Sequence, residues 1–292
     1  MKTGAVFPQT EIGADPQVIK DYVQSVEKLG FDSLLIYDHV LGADHNVHSQ
    51  YAGKYSLEDT FHEPFVLFGY LAAFTEHLEL TTNIIILGQR QTALVAKQAA
   101  QVDILTGGRL RLGIGTGWNA VEYQALGENF HDRGIRSEEQ IEVLRALWTR
   151  ESIDYTGRWH RIHHAGLRPL PIQRPIPIWL GGNADKVLRR TAKIGDGWFP
   201  QYSPNNTDSR NATADAIGTL KEYSLQAGRD WSEIGIEGRV TVDVNKPDEW
   251  KYQVQAWEEL GATHISAITM KLSLGSIDRH IETLAVFKEY FG

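Results

Sequence analysis

The chain has 292 residues, 42% of them hydrophobic and 23% charged, with a formal net charge of −8 and no cysteine. This is the composition of a globular protein with a large core, and the absence of a basic block argues against nucleic acid or an anionic membrane as a partner. Disulfides, thiolate nucleophiles and Cys-based metal sites are excluded, and a cytoplasmic location fits. The apolar stretch at residues 65–74 is shorter than the roughly 20 residues that span a bilayer, so we expect neither membrane insertion nor export.

Short β-branched runs alternate with helical patterns along the whole chain. The segment DPQVIKDYVQSVEKLG, for example, has apolar residues at helical spacing and ends at Gly30. Strict alternation predicts parallel strands joined by right-handed crossovers, and eight units fit a (β/α)8 TIM barrel formed as one domain by residues 1–292. The predicted strands are GAVFP from Gly4, DSLLIYD from Asp32, LELTTNIII from Leu78, RLRLGIG from Arg109, IPIWLGG from Ile176, DGWFPQ from Asp196, IGIEGRVTV from Ile234 and ATHISAIT from Ala262.

Two segments are longer than ordinary connections: residues 41–64 after the second predicted strand and residues 117–175 after the fourth. The second insertion is predicted to hold a helix, SEEQIEVLRALWT, opened by a capping box of Ser137 and Gln140. The segment IDYTGRWHRIHH then alternates like a β-hairpin, and a Pro-rich stretch follows. Because a barrel builds its site from insertions at the carboxyl ends of its strands, we expect the chemistry there.

The second strand ends in two adjacent polar residues, Asp38 and His39. Since side chains alternate along a strand, only one of the two can point into the barrel mouth. An imidazole is suited to acid or base work near neutral pH, so His39 is the predicted catalytic residue. Asp38 is expected to face away as an orienting or structural partner. The alternative is that both residues only cap the next turn.

Two glycine turns follow later strands. In GIGTGWN, which starts at Gly113, alternate glycines allow positive φ and close approach, so that N–H groups can hold an anion or a polar ring edge. The pattern G-x-G-x-G is not the dinucleotide fingerprint. In WLGGNADKVLRR, Gly181 and Gly182 precede a helix opened by Asn183, whose free N–H groups suit a phosphate. Ordinary tight turns explain both segments equally well.

The eleven histidines raise the question of a metal site. Metal-dependent hydrolase barrels commonly carry an H-x-H pair on an early strand, where this chain has AVFPQ, so we predict no metal. Neither a G-x-S-x-G elbow nor a P-loop occurs, which leaves serine hydrolysis and P-loop nucleotide chemistry without support. The histidines considered are His45, His48 and His62 in the first insertion and His160, His163 and His164 on the hairpin.

Taken in order, these pieces resemble the luciferase-like monooxygenase superfamily, whose barrels bind FMN or the deazaflavin coenzyme F420. The resemblance is close over roughly residues 1–200 and extends to the rest only in layout. It is carried by VEKLGFDSLLIYDHV, LELTTNIIIL, LVAKQAAQVDILTGGRLRLGIGTGWNAVEYQALG, DRGIRSEEQIEVLRALW, YTGRWHRI and PIQRPIPIWLGGNADKVLRRTAKIGDGWFP.

The resemblance implies a role for each of these positions. His39 matches a histidine near the reactive ring carbon in deazaflavin-dependent dehydrogenases, and the step from Asn83 to Ile84 matches a non-prolyl cis peptide behind the ring. The other implied cofactor-binding residues are Gly115, Thr116 and Gly117 beside the ring, Gly181 and Gly182 at the phosphate, and Gly197 and Trp198 in a GDGW element.

The sequence favours F420 as the cofactor, because the Asp38–His39 pair and the GDGW and DRGIR segments resemble the deazaflavin branch more than the FMN branch. We therefore expect hydride transfer between F420 and a small organic substrate. The alternative is an FMN-dependent monooxygenase supplied with FMNH2 by a separate reductase. A flavin-binding protein without catalysis is the third reading, and retention of His39 counts against it.

Tyr51 and Trp118 are the predicted substrate-pocket residues, and the aromatic residues Tyr55, Phe61 and His62 of the first insertion and Trp159 of the hairpin are expected to cover the mouth. Such loops vary freely, so they leave the substrate undefined. Resemblance to the superfamily also implies a homodimer.

Overall fold

The computed structural model describes residues 1–51 and 54–291 and forms a closed barrel of parallel strands with helices outside it. Residues 52 and 53, in the first predicted insertion, and residue 292 lie outside the described residues. The strands are β1 Lys2–Val6, β2 Ser33–Ile36, β3 Glu79–Thr82, β4 Ile85–Ile86, β5 Leu110–Gly115, β6 Ile153–Thr156, β7 Arg161–Ala165, β8 Ile178–Gly181, β9 Gly197–Phe199, β10 Gly235–Thr241 and β11 His264–Ile268. The helices are α1 Pro16–Lys28, α2 Pro64–Leu71, α3 Thr92–Leu105, α4 Ala120–Ala125, α5 Arg133–Thr149, α6 Asp185–Ile194, α7 Thr207–Gln226, α8 Pro247–Glu259 and α9 Ile277–Glu289.

The strand order β3-β2-β1-β11-β10-β9-β8-β5 closes through a β3–β5 pairing. The predicted TIM barrel is thus confirmed, and each of the eight predicted segments contains a barrel strand. Right-handed crossover helices can bury one face against such a ring, as α1 does with Ile19, Tyr22, Val23 and Val26. Among the described residues, no helix has the length and apolar character to cross a membrane.

The third barrel strand is broken in the middle. Sequence patterning predicts one strand from Leu78 onward, but β3 ends at Thr82 and β4 begins at Ile85, and the Asn83–Ile84 peptide bond between them is cis. This confirms the cis bond that the resemblance implied. Asn83 N donates to Ile36 O at 2.7 Å, so the break stays attached to β2 at the carboxyl end of the barrel.

Two predicted helix starts are wrong. Helix α5 begins at Arg133 rather than at Ser137, because the preceding DRG segment is helical too. Ser137 Oγ donates to Gly134 O within the helix, and the buried Gln140 amide donates to Leu87 O instead of capping. Helix α6 begins at Asp185 after Ala184, and the Asn183 side chain accepts from Gln201 N at 2.7 Å.

The barrel interior has a charged layer below its mouth. Arg111 donates to Glu79 Oε1 at 2.6 Å and to Glu237 Oε2 at 2.5 Å, and its guanidinium lies 4.3 Å from the centroid of the Trp179 ring. Buried charges persist when they are paired in this way. Above this layer, Phe199 packs against Trp179 with ring centroids 5.3 Å apart and forms part of the floor under the mouth.

Candidate functional site

The carboxyl ends of the barrel strands surround a cavity of about 500 Å³, here called the mouth cavity. Parallel barrels place their sites at this end, and most of the predicted residues meet here. Its lining residues are Tyr37, Asp38, His39, Tyr55, Asn83, Ile84, Ile86, Thr116, Gly117, Trp118, Gly181, Gly182, Gln201 and Arg239.

His39 lies in the wall of the mouth cavity with its side chain 11% exposed, and its partner is Glu122. The Nδ1 atom is 3.5 Å from Glu122 Oε2, while no described residue forms a hydrogen bond with Nε2. A carboxylate beside Nδ1 favours the tautomer that is protonated there, which leaves Nε2 free to exchange a proton with a bound molecule. His39 is therefore oriented like a general acid or base.

Glu122 is buried and held by several donors. Its Oε1 accepts from Val40 N at 2.5 Å and from Leu41 N at 3.1 Å, and its Oε2 accepts from Gln89 Nε2 at 3.0 Å. Burial on its own would raise the pKa of Glu122, but these hydrogen bonds and the His39 imidazole hold it below its usual value. The carboxylate thus stays charged beside His39 at neutral pH.

Aromatic rings enclose the His39 imidazole. The ring centroids of Phe61, Tyr55 and Trp118 lie 4.8, 5.6 and 5.6 Å from that of His39. Such packing fixes the orientation of the imidazole and limits its contact with water. The expectation that residues of the first insertion cover the mouth agrees with this arrangement for Tyr55 and Phe61.

Asp38 does not orient His39. Its Oδ1 accepts from Arg90 Nη2 at 2.8 Å and its Oδ2 from Ile86 N at 3.2 Å. Asp38 is thus structural, because it ties the end of β2 to β4 just after the cis bond. Both Asp38 and His39 line the mouth cavity, but the Asp38 side chain is only 2% exposed and its carboxylate is held by Arg90 and Ile86 N.

The glycines near the cis bond make room for the Ile84 side chain. A Cβ on Gly115 would lie 1.8 Å from Ile84 Cδ1, and one on Gly181 would lie 3.1 Å from Ile84 Cγ2. Gly115 itself lies behind Ile84 and does not line the mouth cavity, whereas Thr116 and Gly117 do. Gly117 has φ +65°, which explains why a residue without a side chain stands there.

A second cavity of about 540 Å³, the basic groove, shares Thr116 with the mouth cavity. Arg189 and Arg190 pair with Asp185 and Glu138, but Lys186 and Lys193 have no carboxylate partner among the described residues. The basic groove therefore carries uncompensated positive charge. It is lined by Thr116, His131, Arg133, Gly134, Ile135, Glu138, Ala184, Lys186, Val187, Arg189, Arg190, Lys193 and Ile194.

Besides Gly115, three more predicted site residues lie behind the residues that line the mouth cavity. Strand alternation turns Trp198 outward into the layer between barrel and helices, where Nε1 donates to Gly182 O at 2.7 Å, and Gly197 packs on Trp179. Tyr51 lies behind Trp118, with ring centroids 5.2 Å apart, and its hydroxyl accepts from Ala120 N. Gly197, Trp198 and Tyr51 thus shape the mouth cavity without lining it.

Sequence reasoning missed Glu122 and Arg239. Asn119 caps helix α4 with a side chain that accepts from Val121 N and Glu122 N, so Glu122 sits in the first helical turn beside the glycine turn. That carboxylate position could have been noted from the Asn-x-x-Glu spacing. Arg239 lies two residues after Glu237 on the same strand, so both side chains point into the barrel. This alternation can also be recognised in the sequence.

Among the described residues, one group has a geometry that could hold a metal ion: Asp154, His163 and His164, all exposed on the β6–β7 hairpin. None of the three lines the mouth cavity. Of the described histidines, His39 is the one that lines the mouth cavity.

A closed (β/α)8 barrel with a polar cavity at the carboxyl ends of its strands is an enzyme architecture. Residues 2–283 match the family model described as luciferase-like monooxygenase, so the chain belongs to the luciferase-like monooxygenase family. Members of this family are oxidoreductases and monooxygenases that use F420 or FMN.

Two curated relatives match about half of the chain. An uncharacterised protein of Mycobacterium bovis is 41% identical over 139 residues, which are 48% of this chain and 48% of that protein. An FMNH2-dependent dimethylsulfone monooxygenase of Pseudomonas putida is 34% identical over 163 residues, which are 54% of this chain and 44% of the enzyme. The chain thus spans about half the length of these curated relatives.

A solved structure has the same fold. An F420-dependent secondary alcohol dehydrogenase, in complex with an F420–acetone adduct, matches with a TM-score of 0.77 and 17% identity over 98% of each chain.

Proposed function

We propose that this protein is an oxidoreductase that transfers hydride between F420 and a small organic substrate, with His39 as the proton donor or acceptor. The observation that carries this proposal is that Thr116 lines both the mouth cavity, where His39 is paired with Glu122, and the basic groove. The mouth cavity suits a ring and a substrate, and the basic groove suits a long anionic tail.

The residues present fit a flavin-type ring. The Asn83 side chain is 5% exposed, and its Nδ2 has no hydrogen-bond partner in the described structure, which leaves a buried donor for a polar ring edge. Ile84 offers an apolar face beside it. Gly117, with its positive φ, permits close approach of the backbone. When bound, a deazaflavin ring supplies or accepts the hydride.

The basic groove favours F420 over FMN. FMN ends at a single phosphate, whereas F420 extends from its phosphate into a tail that carries several carboxylates. Lys186 and Lys193 line the groove without carboxylate partners among the described residues, and they offer more positive charge than a single phosphate requires. Opposite charges arranged along a groove stabilise such a tail and fix its direction.

His39 handles the proton in this proposal. Glu122 holds Nδ1, so Nε2 is the atom that takes a proton from an alcohol as hydride leaves its carbon, or returns one in the reverse direction. The negative charge of Glu122 stabilises the imidazolium that forms. Phe61, Tyr55 and Trp118 keep water away from this exchange.

Comparison of F420 with its tail-less deazaflavin core tests the role of the groove. We expect the wild-type protein to bind F420 at least tenfold more tightly, and the difference to shrink in a Lys186→Gln/Lys193→Gln variant and at high salt. Lys28→Gln/Lys221→Gln, which removes two exposed lysines from α1 and α7, serves as the charge-matched control. Equal binding of the two compounds by the wild type would overturn the assignment of the groove.

A second candidate function is oxygenation with FMNH2 supplied by a separate reductase. It is favoured by the 34% identity to the FMNH2-dependent dimethylsulfone monooxygenase. This reading requires oxygen consumption with FMNH2 that is coupled to product, whereas hydride transfer with F420 proceeds without oxygen.

A further inference from the structure

Within the described part of the chain, Arg239 has no carboxylate partner in the mouth cavity. It lies two residues after Glu237 on β10, so both side chains point into the barrel: Glu237 down to Arg111, and Arg239 up to the mouth. Among the described residues, its hydrogen bonds are from Nη2 to Pro200 O at 3.2 Å and to Gln201 Oε1 at 3.1 Å. The Nε and Nη1 donors therefore remain available.

Among the described residues that line the mouth cavity, no carboxylate is free to neutralise the charge of Arg239. The carboxylate that lines this cavity within the described structure is Asp38, and Arg90 already pairs with it at 2.8 Å. Glu122 is directed at His39 and at backbone N–H groups. A guanidinium that faces a partly desolvated cavity without a counter-ion is suited to an anion brought by a ligand.

Two phenols complete a donor-rich wall beside Arg239. Tyr37 and Tyr55 line the same cavity, and their hydroxyls make no hydrogen bond to any described residue. Burial raises the pKa of Tyr55, so it stays a neutral donor, and Arg239 is close enough to act on it electrostatically. The Lys271 ammonium lies 4.5 Å from the centroid of the Tyr55 ring and adds positive charge at the rim.

The acidic groups near this wall are committed elsewhere. Asp59 accepts from Ser56 N at 2.8 Å, and Glu11 accepts from Lys271 N at 2.6 Å and contacts His280 Nε2 at 3.0 Å. Neither lines the mouth cavity, so neither neutralises Arg239 from within it.

We propose that Arg239, with the hydroxyls of Tyr37 and Tyr55, forms an anion subsite that binds a carboxylate, sulfonate or phosphate group of the substrate. Resting on the proposed function, this defines the substrate class as a small organic anion. Tyr55 links the two ends of the site, because its ring centroid lies 5.6 Å from that of His39 and it lines the same cavity as Arg239. The anionic group binds at Arg239 while the carbon that exchanges hydride lies at His39.

The test uses fluorine NMR of two small probes, trifluoromethanesulfonate and its neutral counterpart trifluoroethanol, on cofactor-free protein. The parent is the Lys186→Gln/Lys193→Gln variant, so that binding in the basic groove does not mask the subsite. We expect Arg239→Met to weaken binding of the anion tenfold or more, Arg239→Lys to weaken it less, and the neutral probe to be unaffected. Arg279→Met, which removes an exposed arginine from α9, is the charge-matched control.

A Tyr55→Phe variant tests the same wall without changing its charge, and we expect it to weaken anion binding a few-fold. Unchanged anion binding in both Arg239→Met and Tyr55→Phe would overturn the subsite. Loss of cofactor affinity in Arg239→Met with unchanged anion binding would also overturn it, because Arg239 would then serve the cofactor ring. Since the probes need no cofactor, failure of F420 to bind would contradict the proposed function and leave this measurement intact.

Discussion

At the scale of single residues, the pair formed by His39 and Glu122 sets the chemistry of the mouth. Two backbone N–H groups and Gln89 fix the carboxylate, and the carboxylate fixes the imidazole. In the proposed function, Glu122 is the positioning residue and His39 is the group that meets the substrate. A histidine held in this way differs from a surface histidine in both tautomer and direction.

We expect His39→Ala to lower turnover about 100-fold, the usual contribution of one general acid or base, while cofactor affinity changes little. Steady-state kinetics and equilibrium titration of the cofactor measure the two effects. The control is His163→Ala, which removes an imidazole that is 78% exposed on the hairpin. Unchanged turnover with bound cofactor would remove His39 from the mechanism.

The low pKa of Glu122 predicts how stability depends on pH. Its charged form contributes stability above the unfolded value of about 4.3, and this contribution is lost as the pH falls through the lower folded value. We expect Glu122→Gln to lower the free energy of unfolding by about 2 kcal/mol at pH 7, with the deficit narrowing between pH 5 and pH 3.

Urea unfolding of both proteins across that pH range measures the effect. The exposed Glu289→Gln substitution on α9 is the control, and it should change little at any pH. A deficit that stayed constant down to pH 3 would show that Glu122 is not a stabilising anion.

The sequence predicts His39 and the glycine turns because strand ends and glycine patterns are local signals. It does not reveal that Glu122 rather than Asp38 contacts His39. Glu122 and His39 are 83 positions apart in the sequence and meet only when the barrel closes. Adjacency along the chain left Asp38 as an orienting or structural partner, and its hydrogen bonds to Arg90 and Ile86 N agree with the structural role. Trp198 was misplaced for the related reason that alternation turns every second residue of a strand away from the mouth.

At the scale of elements, the break between β3 and β4 depends on the glycines of neighbouring strands. Ile84 occupies space that side chains at Gly115 and Gly181 would fill. The hydrophobic pattern alone reads LELTTNIII as one continuous strand, since the pattern reports burial and not backbone pairing. The predicted start of helix α5 was wrong for a similar reason. Gln140 fits a capping box in the sequence, but in the structure its buried amide donates to Leu87 O.

Gly115→Ala should push Ile84 into the mouth cavity, because the added Cβ would lie 1.8 Å from Ile84 Cδ1. We expect a loss of about 1–3 kcal/mol in stability and weaker binding of the cofactor. Gly218→Ala on α7 is the matched control, since nothing lies within 4 Å of its Cβ and a helical alanine should stabilise by about 0.5–1 kcal/mol. Thermal unfolding and cofactor titration measure both variants. Equal stability and equal cofactor affinity of Gly115→Ala and Gly218→Ala would contradict the displacement of Ile84.

At the scale of the whole molecule, the alternation of strands and helices was sufficient to predict the barrel, because few topologies accommodate eight such units. An apolar cleft on the outside was not predicted, because helix periodicity identifies the face toward the barrel and not the use of the other faces. This cleft lies on α2 and α3 and is lined by Phe65, Val66, Gly69, Gln98, Gln101, Val102 and Leu105, without a charged residue.

We propose that this face is the interface of the expected homodimer, so that a second copy of the chain covers it. Val66 is 73% exposed and Leu105 53%, unusual for adjacent apolar residues on a free surface. Val66→Glu/Leu105→Glu should shift the protein toward monomer in sedimentation equilibrium. Leu225→Glu on α7, where Leu225 is 77% exposed, should leave the mass unchanged. A monomeric wild type would contradict the proposal.

We propose that the mouth cavity and the basic groove together hold a deazaflavin with an anionic tail. Equilibrium titration of the purified wild-type protein with F420 and with FMN, side by side in one buffer, tests this proposal. We expect a dissociation constant for F420 at least tenfold lower than that for FMN. An FMN affinity equal to or greater than that for F420 would contradict it.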